Sequence, residues 1–380
     1  MMNAEFDLNS FERDNDFYND IQLVVSIKSF DLQAIRARYL KSKANVSGKA
    51  GSVERRAVSK GGLAKLNISK GKIEETKIVG ELSEPRGIDY KAGRFAVSLE
   101  NEVFVFQSDQ NYKITNPWFS YIHTVDFHHE DETRILITSS GFECLHEFDF
   151  RNAELKWDWF AWDHGLNEAN NPEDNSTIIL TRKPKEAEEL KKQGKAYMFI
   201  SDPATDHLPT AKRAAFINTA RYDSKDPESI FLTLFHEGST RFLDKNSGES
   251  KILMEGMKSP HGSHRFDENT VISTNTAGGS VELLKGEERT SVKFQNLPNK
   301  DPQLGETEWL QNSIRHGSLI ITIDSNRNSL VVFDIEKKKF DILPYNNNWA
   351  VQDLMVYNFN NEGLINKAMD YLEKLDNPTN

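Results

Sequence analysis

The chain of 380 residues is 37% hydrophobic and 28% charged with a formal net charge of −11, which fits a globular protein with a sizeable core and argues against a nucleic-acid or membrane partner. Its single cysteine, Cys144, excludes an internal disulfide and a zinc site built from cysteines. The opening residues lack the basic and apolar parts of a secretion signal, and no run reaches the ~18 apolar residues of a membrane span, so we expect a cytoplasmic protein.

The N-terminal segment 1–61 is predicted to contribute an arm, a strand and a helix to the closing part of the fold. Residues 1–20 are polar and predict a loose arm. Residues 21–27 are apolar and predict a buried strand, after which Asp31 is placed to cap a short helix. Residues 42–61 are rich in Ser, Gly, Lys and Arg, which predicts an exposed loop.

From residue 62 the pattern is almost entirely that of β-strands, and similar strand openings recur with a polar residue at one matching position. The openings lie at 85–90, 122–127, 217–222, 260–265, 310–315 and 351–356. Six openings predict six units around one axis, as in a β-propeller whose recurrent polar position faces a common centre. We number these units one to six in chain order.

The last opening is followed by a helical pattern, so unit six lacks strands of its own beyond the first. The strands predicted at 21–27, 63–68 and 73–79 are expected to complete it, which closes the ring with both chain ends and removes exposed edges. The fold is therefore predicted to be all-β, a six-bladed β-propeller over 62–357 with a C-terminal helix in 358–380.

One insertion, at 162–216, interrupts the regular spacing of the units. It contains a charged segment with helical spacing, and its length is unusual for a connection within a compact domain. The insertion is predicted to be a lid, a partner surface or a disordered segment, and the sequence leaves all three open.

Three histidines are predicted to meet on one face of the propeller. His123 and His261 occupy the channel-lining starts of units two and four, and His236 lies in a loop of unit three on the same face. Neutral imidazoles that converge from different units suit a divalent metal, and three ligands leave a position open for substrate. The metal is predicted to be Fe, Zn, Mn, Cu or Ca.

Other polar and aromatic residues are candidates for the same site. His164 or Glu237 is expected to move a proton, with His164 also a reserve metal ligand, and Arg86 is suited to an anionic group of the substrate. The substrate-binding candidates are Asn218, Gln311, Gln352, Trp118 and Trp349. Channel groups of this kind also satisfy each other and buried water, so a purely structural role stays open.

Two stretches carry a family resemblance. The run Glu147–Phe150, the run Glu154–Phe160 with its Trp-x-Trp, and Asp163-His164-Gly165 resemble arylsulfotransferase-type propellers, while Ser83–Gly87 and Lys258–Gly262 resemble the Pro-x-Gly openings of NHL propellers. The resemblance implies a six-bladed propeller with an axial site. In the sulfotransferases histidines there take up the sulfuryl group, and His123 or His261 would match them.

The leading hypothesis is an enzyme that acts on a small organic substrate in the axial pocket with a histidine-bound metal, as a lyase, hydrolase or oxidoreductase. One alternative is metal-free group transfer through a histidine. Another is a non-catalytic ligand-binding or scaffold propeller in which the histidines fill the channel. The sequence leaves the oligomeric state open.

Overall fold

The computed structural model describes residues 3–42, 44–54 and 56–375, and the chain is mostly β, as the sequence predicts. The described residues form three α-helices: α1 (Leu32–Ser42), α2 (Pro184–Lys192) and α3 (Phe359–Leu375). Asp31 caps α1 as predicted, because its Oδ1 accepts a hydrogen bond from the N–H of Ala34 at 2.9 Å. None of the described helices has the length and apolar character needed to cross a membrane.

The strands before and within the first two units are β1 (Asn3–Asp7), β2 (Glu12–Arg13), β3 (Ile21–Ser29), β4 (Lys60–Ser69), β5 (Lys72–Ser83), β6 (Ile88–Lys91), β7 (Arg94–Ser98), β8 (Glu102–Phe106), β9 (Asn111–Thr115), β10 (Ile122–Phe127), β11 (Arg134–Ser139), β12 (Cys144–Asp149) and β13 (Glu154–Phe160). The insertion contributes β14 (Glu168–Asn170), β15 (Thr177–Thr181) and β16 (Tyr197–Phe199). The remaining strands are β17 (Ile217–Asp223), β18 (Asp226–Leu234), β19 (Ser239–Asp244), β20 (Ser250–Met254), β21 (Pro260–Arg265), β22 (Thr270–Asn275), β23 (Ser280–Lys285), β24 (Glu288–Lys293), β25 (Leu310–His316), β26 (Leu319–Asp324), β27 (Ser329–Asp334), β28 (Lys339–Pro344) and β29 (Ala350–Tyr357).

Units one to five are antiparallel sheets of four consecutive strands, β6–β9, β10–β13, β17–β20, β21–β24 and β25–β28. Tight turns allow consecutive strands to pair in this antiparallel order. Between β6 and β7 the chain reverses at Ala92 and Gly93, whose φ angles of 45° and 76° are both positive, as the favoured two-residue hairpin turn requires.

Unit six combines the two ends of the chain. Its strand order is β29-β3-β4-β5, so the C-terminal strand pairs with the N-terminal strand β3, with Leu354 opposite Val25. All four strands come from the segments that the sequence analysis assigned to this unit.

The first strands of the units contact one another in a closed cycle: β6 contacts β10, β10 contacts β17, β17 contacts β21, β21 contacts β25, β25 contacts β29, and β29 contacts β6. The apolar core is divided between neighbouring sheets. For example, Val103 and Ile114 of unit one pack with Val125 and Ile135 of unit two, and helix α3 covers units six and one through Met369 and its neighbours. Every element of the cycle is thus held on both sides by apolar packing.

The N-terminal arm differs from the prediction. Strand β1 pairs in parallel with β24, and β2 pairs in parallel with β28, so the arm extends the outer edges of units four and five. Leu8 and Phe11 are buried in the core cluster between these two sheets. The polar composition of the arm predicts a loose segment, but the arm is held in place. It pairs with the free backbone groups of two outer strands and buries two apolar side chains.

The insertion has its own small sheet, β14-β15-β16, and the helix α2. Its C-terminal part also contacts the loop after α1, since the N–H of Ala211 donates to the carbonyl of Ser52 at 3.0 Å. The described residues of that loop are half-buried or exposed, and backbone hydrogen bonds at Val46 and Ser52 join the loop to the insertion. Lys43 and Arg55 of the loop lie outside the described residues.

Candidate functional site

A cavity of about 130 Å³ lies at one end of the cycle of first strands. Five of the six recurrent polar residues of the unit openings line it: Arg86, His123, His261, Gln311 and Gln352. The sixth, Asn218, lines a small adjoining cavity together with His123 and His261. The equivalent positions of the six units thus meet at one place.

The roof of the cavity comes from three segments outside the six first strands. Helix α1 contributes Arg38 and Tyr39, the following loop contributes 50–52 and Arg56, and the insertion contributes Thr210. Ile35, Arg38, Tyr39 and Ser42 are spaced along one face of α1, and this face lines the cavity.

His123 and His261 both carry their ring proton on Nδ1. Nδ1 of His123 is 3.1 Å from Oγ of Ser140, and since that hydroxyl donates to the carbonyl of Ile217, it accepts from the imidazole. Nδ1 of His261 is 3.3 Å from the carbonyl of Ser259, which can only accept. Neither Nε2 atom hydrogen-bonds to a described residue, so two unprotonated nitrogens are available to a ligand.

Both imidazoles are neutral at ordinary pH. Burial, followed by the charge of Arg86, holds the pKa of His123 well below its usual value. Burial, followed by the charge of Lys28, lowers the pKa of His261 to about 3. The ring centres of the two histidines are 5.9 Å apart, which makes them a pair of acceptors and weak bases.

His236 lies on the same side of the molecule but is turned away from the pair. Its Nδ1 is 3.0 Å from the carbonyl of Arg213 and its Nε2 is 3.1 Å from the carbonyl of Ala50, so both nitrogens face backbone oxygens. No three His, Cys, Asp or Glu side chains in the described ranges are grouped so that they could hold a metal ion. In this geometry His123 and His261 offer a metal two ligands, and the metal stays a prediction.

Arg86 is buried and already neutralised by two carboxylates. It forms ion pairs with Glu84 and, at 3.0 Å, with Glu100, while Arg56 pairs with the same two residues. Burial opposes the charge on Glu84, yet Arg86 and Arg56 outweigh it and lower the Glu84 pKa to about 2. Both guanidinium groups also contact the ring of Tyr121, whose centre is 3.7 Å from Arg86 and 4.2 Å from Arg56. Arg86 therefore shapes the wall of the cavity with little charge left for a substrate.

Two other cations at the cavity have no ion pair with any described carboxylate. Lys28, on β3, donates from Nζ to Oε1 of Gln352 at 2.8 Å, and Arg38 lies on α1. Gln352 in turn donates to Oε1 of Gln311 at 3.2 Å. The charge left at this site is positive, in a protein whose formal net charge is −11.

Aromatic rings form much of the remaining wall. Tyr39 and Trp309 are stacked with ring centres 4.9 Å apart, and Phe235 meets His261 edge-on at 5.6 Å. Tyr121 and Phe216 pack beside His123 at 5.0 and 5.9 Å. The cavity thus combines apolar rings, two acceptor nitrogens and two basic side chains that have no anionic partner among the described residues.

Comparison with known proteins gives information on the fold alone. No protein-family model matches the chain, and no curated protein matches it. Among solved structures, the nidogen/laminin complex is similar over 89% of this chain and 98% of that chain, with a TM-score of 0.50 and 9% identity. A protein of unknown function from Bacteroides caccae is similar over 88% and 98%, with a TM-score of 0.51 and 11% identity. Virginiamycin B lyase from Staphylococcus aureus is similar over 86% and 89%, with a TM-score of 0.44 and 9% identity.

The fold is a β-propeller. Within the propeller, several candidate residues lie away from the axial cavity. His164 stacks on Trp159 at 5.1 Å and packs against Gly248, and Glu237 is exposed and pairs with Arg241 at 2.7 Å. Neither residue lines the cavity, so their predicted proton-transfer roles find no support from their positions.

The two tryptophans predicted to bind substrate are packing residues in this structure. Trp118 contacts Phe142 and Phe160 edge-on in the core of unit two, at 5.3 and 5.0 Å. Trp349 is buried in the cluster between units five and six. The side chain of Asn218 is also hydrogen-bonded within the propeller. Its amide nitrogen donates to the carbonyl of Pro260 at 2.8 Å, and its amide oxygen accepts from the hydroxyl of Thr233.

Sequence reasoning missed Lys28, Arg38 and Tyr39. Lys28 stands near the end of an apolar strand, Ile21–Ser29, and a lysine in a buried strand was the available signal. Arg38 and Tyr39 are one helical face of α1, but nothing in the sequence places that helix above the axis. Their role depends on the packing of the helix against the propeller.

Proposed function

We propose that this protein is a six-bladed β-propeller enzyme whose substrate is a small organic anion with an aromatic or apolar part, bound in the axial cavity. The observation that carries the proposal is the combination of Arg38 and Lys28, which lack ion pairs with described carboxylates, with the free Nε2 atoms of His123 and His261. A scaffold propeller would have no need to gather, in one cavity, two basic side chains without ion pairs and two imidazole nitrogens without hydrogen bonds among the described residues.

Each part of the cavity has a task in this proposal. Arg38, which belongs to α1, holds the anionic group, and the stacked pair Tyr39 and Trp309 holds the apolar part. The neutral imidazoles accept hydrogen bonds from a hydroxyl or N–H group of the substrate. Their low proton affinity suits acceptance better than full proton transfer at neutral pH.

The binding step is tested with a matched series of small aromatic compounds. Benzoate and 4-hydroxybenzoate are expected to raise the melting temperature of the wild type, whereas benzyl alcohol is not. Arg38→Gln should weaken benzoate binding about 10-fold, as expected for the loss of one charge-assisted contact. His164→Gln, a histidine outside the cavity, is the control and should bind like the wild type. Equal binding of the alcohol and the anions, or no binding by either, contradicts the proposal.

The free Nε2 atoms also favour a second candidate, group transfer through a histidine without a metal. In this alternative the lone pair of Nε2 of His123 or His261 forms a bond to the sulfur of an aryl sulfate, the S–O bond to the aryl group breaks, and the aryloxide leaves and takes a proton from water. Release of 4-nitrophenol from 4-nitrophenyl sulfate that is lost in His123→Gln or in His261→Gln would support it. No release by the wild type would remove it.

A divalent metal at the same pair is tested by elemental analysis of the untagged protein after exhaustive dialysis. About one equivalent of metal that is lost in His123→Ala would support a metal centre completed by other ligands. Equal metal content in wild type and variant would assign the metal elsewhere.

A further inference from the structure

Lys28 is half-buried, and its environment is unusual for a lysine. Its Nζ borders the axial cavity, donates one hydrogen bond to Gln352 at 2.8 Å, and lies 5.5 Å from the ring centre of Trp309. It forms no ion pair with any carboxylate of the described residues. The amine therefore has hydrogens and a lone pair to offer to whatever enters the cavity.

Two buried lysines of this chain are, by contrast, paired with carboxylates. Nζ of Lys245 lies 2.5 Å from Glu147, and Nζ of Lys65 lies 2.6 Å from Glu362. Burying an ammonium group without such a partner is costly, and the amine responds by giving up its proton. Lys28 thus differs from the paired lysines in chemistry as well as in position.

The charges that face Lys28 come from several elements and mostly disfavour its charged form. Burial has the largest effect, and the cations Arg86, Arg38 and Arg56 add to it, while Glu84 opposes them. Together they lower the pKa of Lys28 to about 7, against 10.5 for an ordinary lysine. A large fraction of the amine is then uncharged near neutral pH, which is the nucleophilic form.

We propose that Lys28 is a nucleophile that forms an imine with an aldehyde or ketone group of the substrate in the axial cavity. The proposal rests on the proposed function and narrows its substrate class to a carbonyl compound that also carries an anionic group. Arg38 holds the anion, and Lys28 meets the carbonyl carbon.

The step balances without a further reagent. The lone pair of Nζ forms a bond to the carbonyl carbon, and the carbonyl π electrons move to its oxygen. Both protons of the neutral amine pass to that oxygen, which leaves as water while the C=N bond forms. Gln352 fixes the direction of the amine through its Oε1, and nothing is oxidised or reduced.

Trapping with a hydride donor tests the proposal. The wild type is incubated with 4-formylbenzoate and sodium cyanoborohydride at pH 7, and the products are analysed by intact mass and peptide mapping. We expect one predominant adduct, on Lys28, with a labelling rate that rises through about pH 7. The paired Lys245 serves as the internal control and should stay unlabelled. Adducts spread over exposed lysines with Lys28 unmodified would overturn the proposal.

Two variants keep the result interpretable. Lys28→Met and Lys28→Arg should lose the predominant adduct while keeping the wild-type circular dichroism spectrum and a cooperative melting transition. The peptide map of the wild type decides the question even if one variant fails to fold, because it reports labelling of Lys28 directly.

A compound of the same shape without a carbonyl separates this proposal from the proposed function. 4-(Hydroxymethyl)benzoate is expected to stabilise the wild type, and Arg38→Gln to a smaller extent. If it does so and Lys28 is not labelled by 4-formylbenzoate, the imine is wrong and the anion site stands. If it does not stabilise the wild type and no label appears at Lys28, both proposals fail.

Discussion

Side chains near the axis titrate far from their ordinary ranges, and the direction depends on what surrounds each one. The neutral histidines of the cavity lie at one end of the propeller axis. Further along the first strands, Asp89 of unit one faces Asp126 of unit two, with Arg221 and Lys91 nearby. Burial, and then the charge of Asp126, raises the pKa of Asp89 to about 6.

This shift predicts a pH dependence of stability. The folded-state pKa of Asp89 is above its unfolded value. The contribution of the protonated carboxyl to the free energy of unfolding is therefore fully present below the unfolded pKa and is lost as the pH rises through about 6. Asp89→Asn should remove that loss, on the order of 1–2 kcal/mol, and flatten the fall in melting temperature between pH 4.5 and 7.5. Thermal unfolding across this range measures it, with the exposed Asp109→Asn as control. An unchanged slope in Asp89→Asn would show that another group causes the dependence.

Among the elements, the insertion is held by one buried carboxylate. Glu143, in the turn between β11 and β12, accepts hydrogen bonds from Nε1 of Trp162 at 2.8 Å, from the N–H of Ala214 at 3.0 Å, from the N–H of Ala215 at 2.7 Å and from the N–H of Phe216. These donors belong to the two ends of the insertion, so a single side chain joins both ends to unit two.

Glu143→Ala should therefore release the insertion. Four donors lose their acceptor, and because hydrogen bonds to charged groups are each worth about 1.5–3 kcal/mol, we expect a loss of more than about 3 kcal/mol in the free energy of unfolding. Trypsin should cleave the lysine-rich helix α2 sooner than in the wild type. Glu237→Ala, at an exposed ion pair, should lose less than about 1 kcal/mol. Equal stability and proteolysis in the two variants would contradict this role for Glu143.

The roof of the cavity depends on a close approach between the loop after α1 and the insertion. Gly51 has a φ of +124°, and a Cβ at this position would lie 2.6 Å from Cγ2 of Thr210. Gly51→Ala should push the two segments apart and speed hydrogen exchange at the N–H of Ala211, which donates to Ser52. Gly194→Ala is the matched control, because its φ is also positive and its Cβ would meet open space. Slow exchange retained in Gly51→Ala would mean that the roof adapts without opening.

At the scale of the whole molecule, the sequence predicts what repeats and misses what depends on packing between distant segments. The matching polar positions of the openings identify five cavity residues, since a strand repeat fixes which residues face the axis. His236 was placed by the same logic, but loop geometry turns both its nitrogens towards backbone carbonyls. The arm at 3–13 and the face of α1 could not be predicted, because neither belongs to a repeat and their positions depend on partners hundreds of residues away.

The closed cycle implies that the two chain ends contribute unequally to folding. Strands β1 and β2 only extend outer edges, whereas β29 supplies the first strand of unit six and contacts both β25 and β6. Without β29 the cycle is open, and the apolar strand β3 loses one of its two strand partners and keeps β4. With the arm removed, every unit keeps four strands.

A matched pair of truncations tests this difference. A chain that starts at residue 20 should unfold in one cooperative transition, with a loss of about 3–5 kcal/mol from the exposed partners of Leu8 and Phe11. A chain that ends at residue 349 lacks both β29 and α3 and should show no cooperative transition, because opening the cycle and uncovering the surface under α3 leave unpaired backbone and apolar side chains in units five, six and one. Urea unfolding followed by tryptophan fluorescence and circular dichroism distinguishes the outcomes. A cooperative transition in the second truncation would contradict this prediction. It would mean that the units fold together without closure of the cycle.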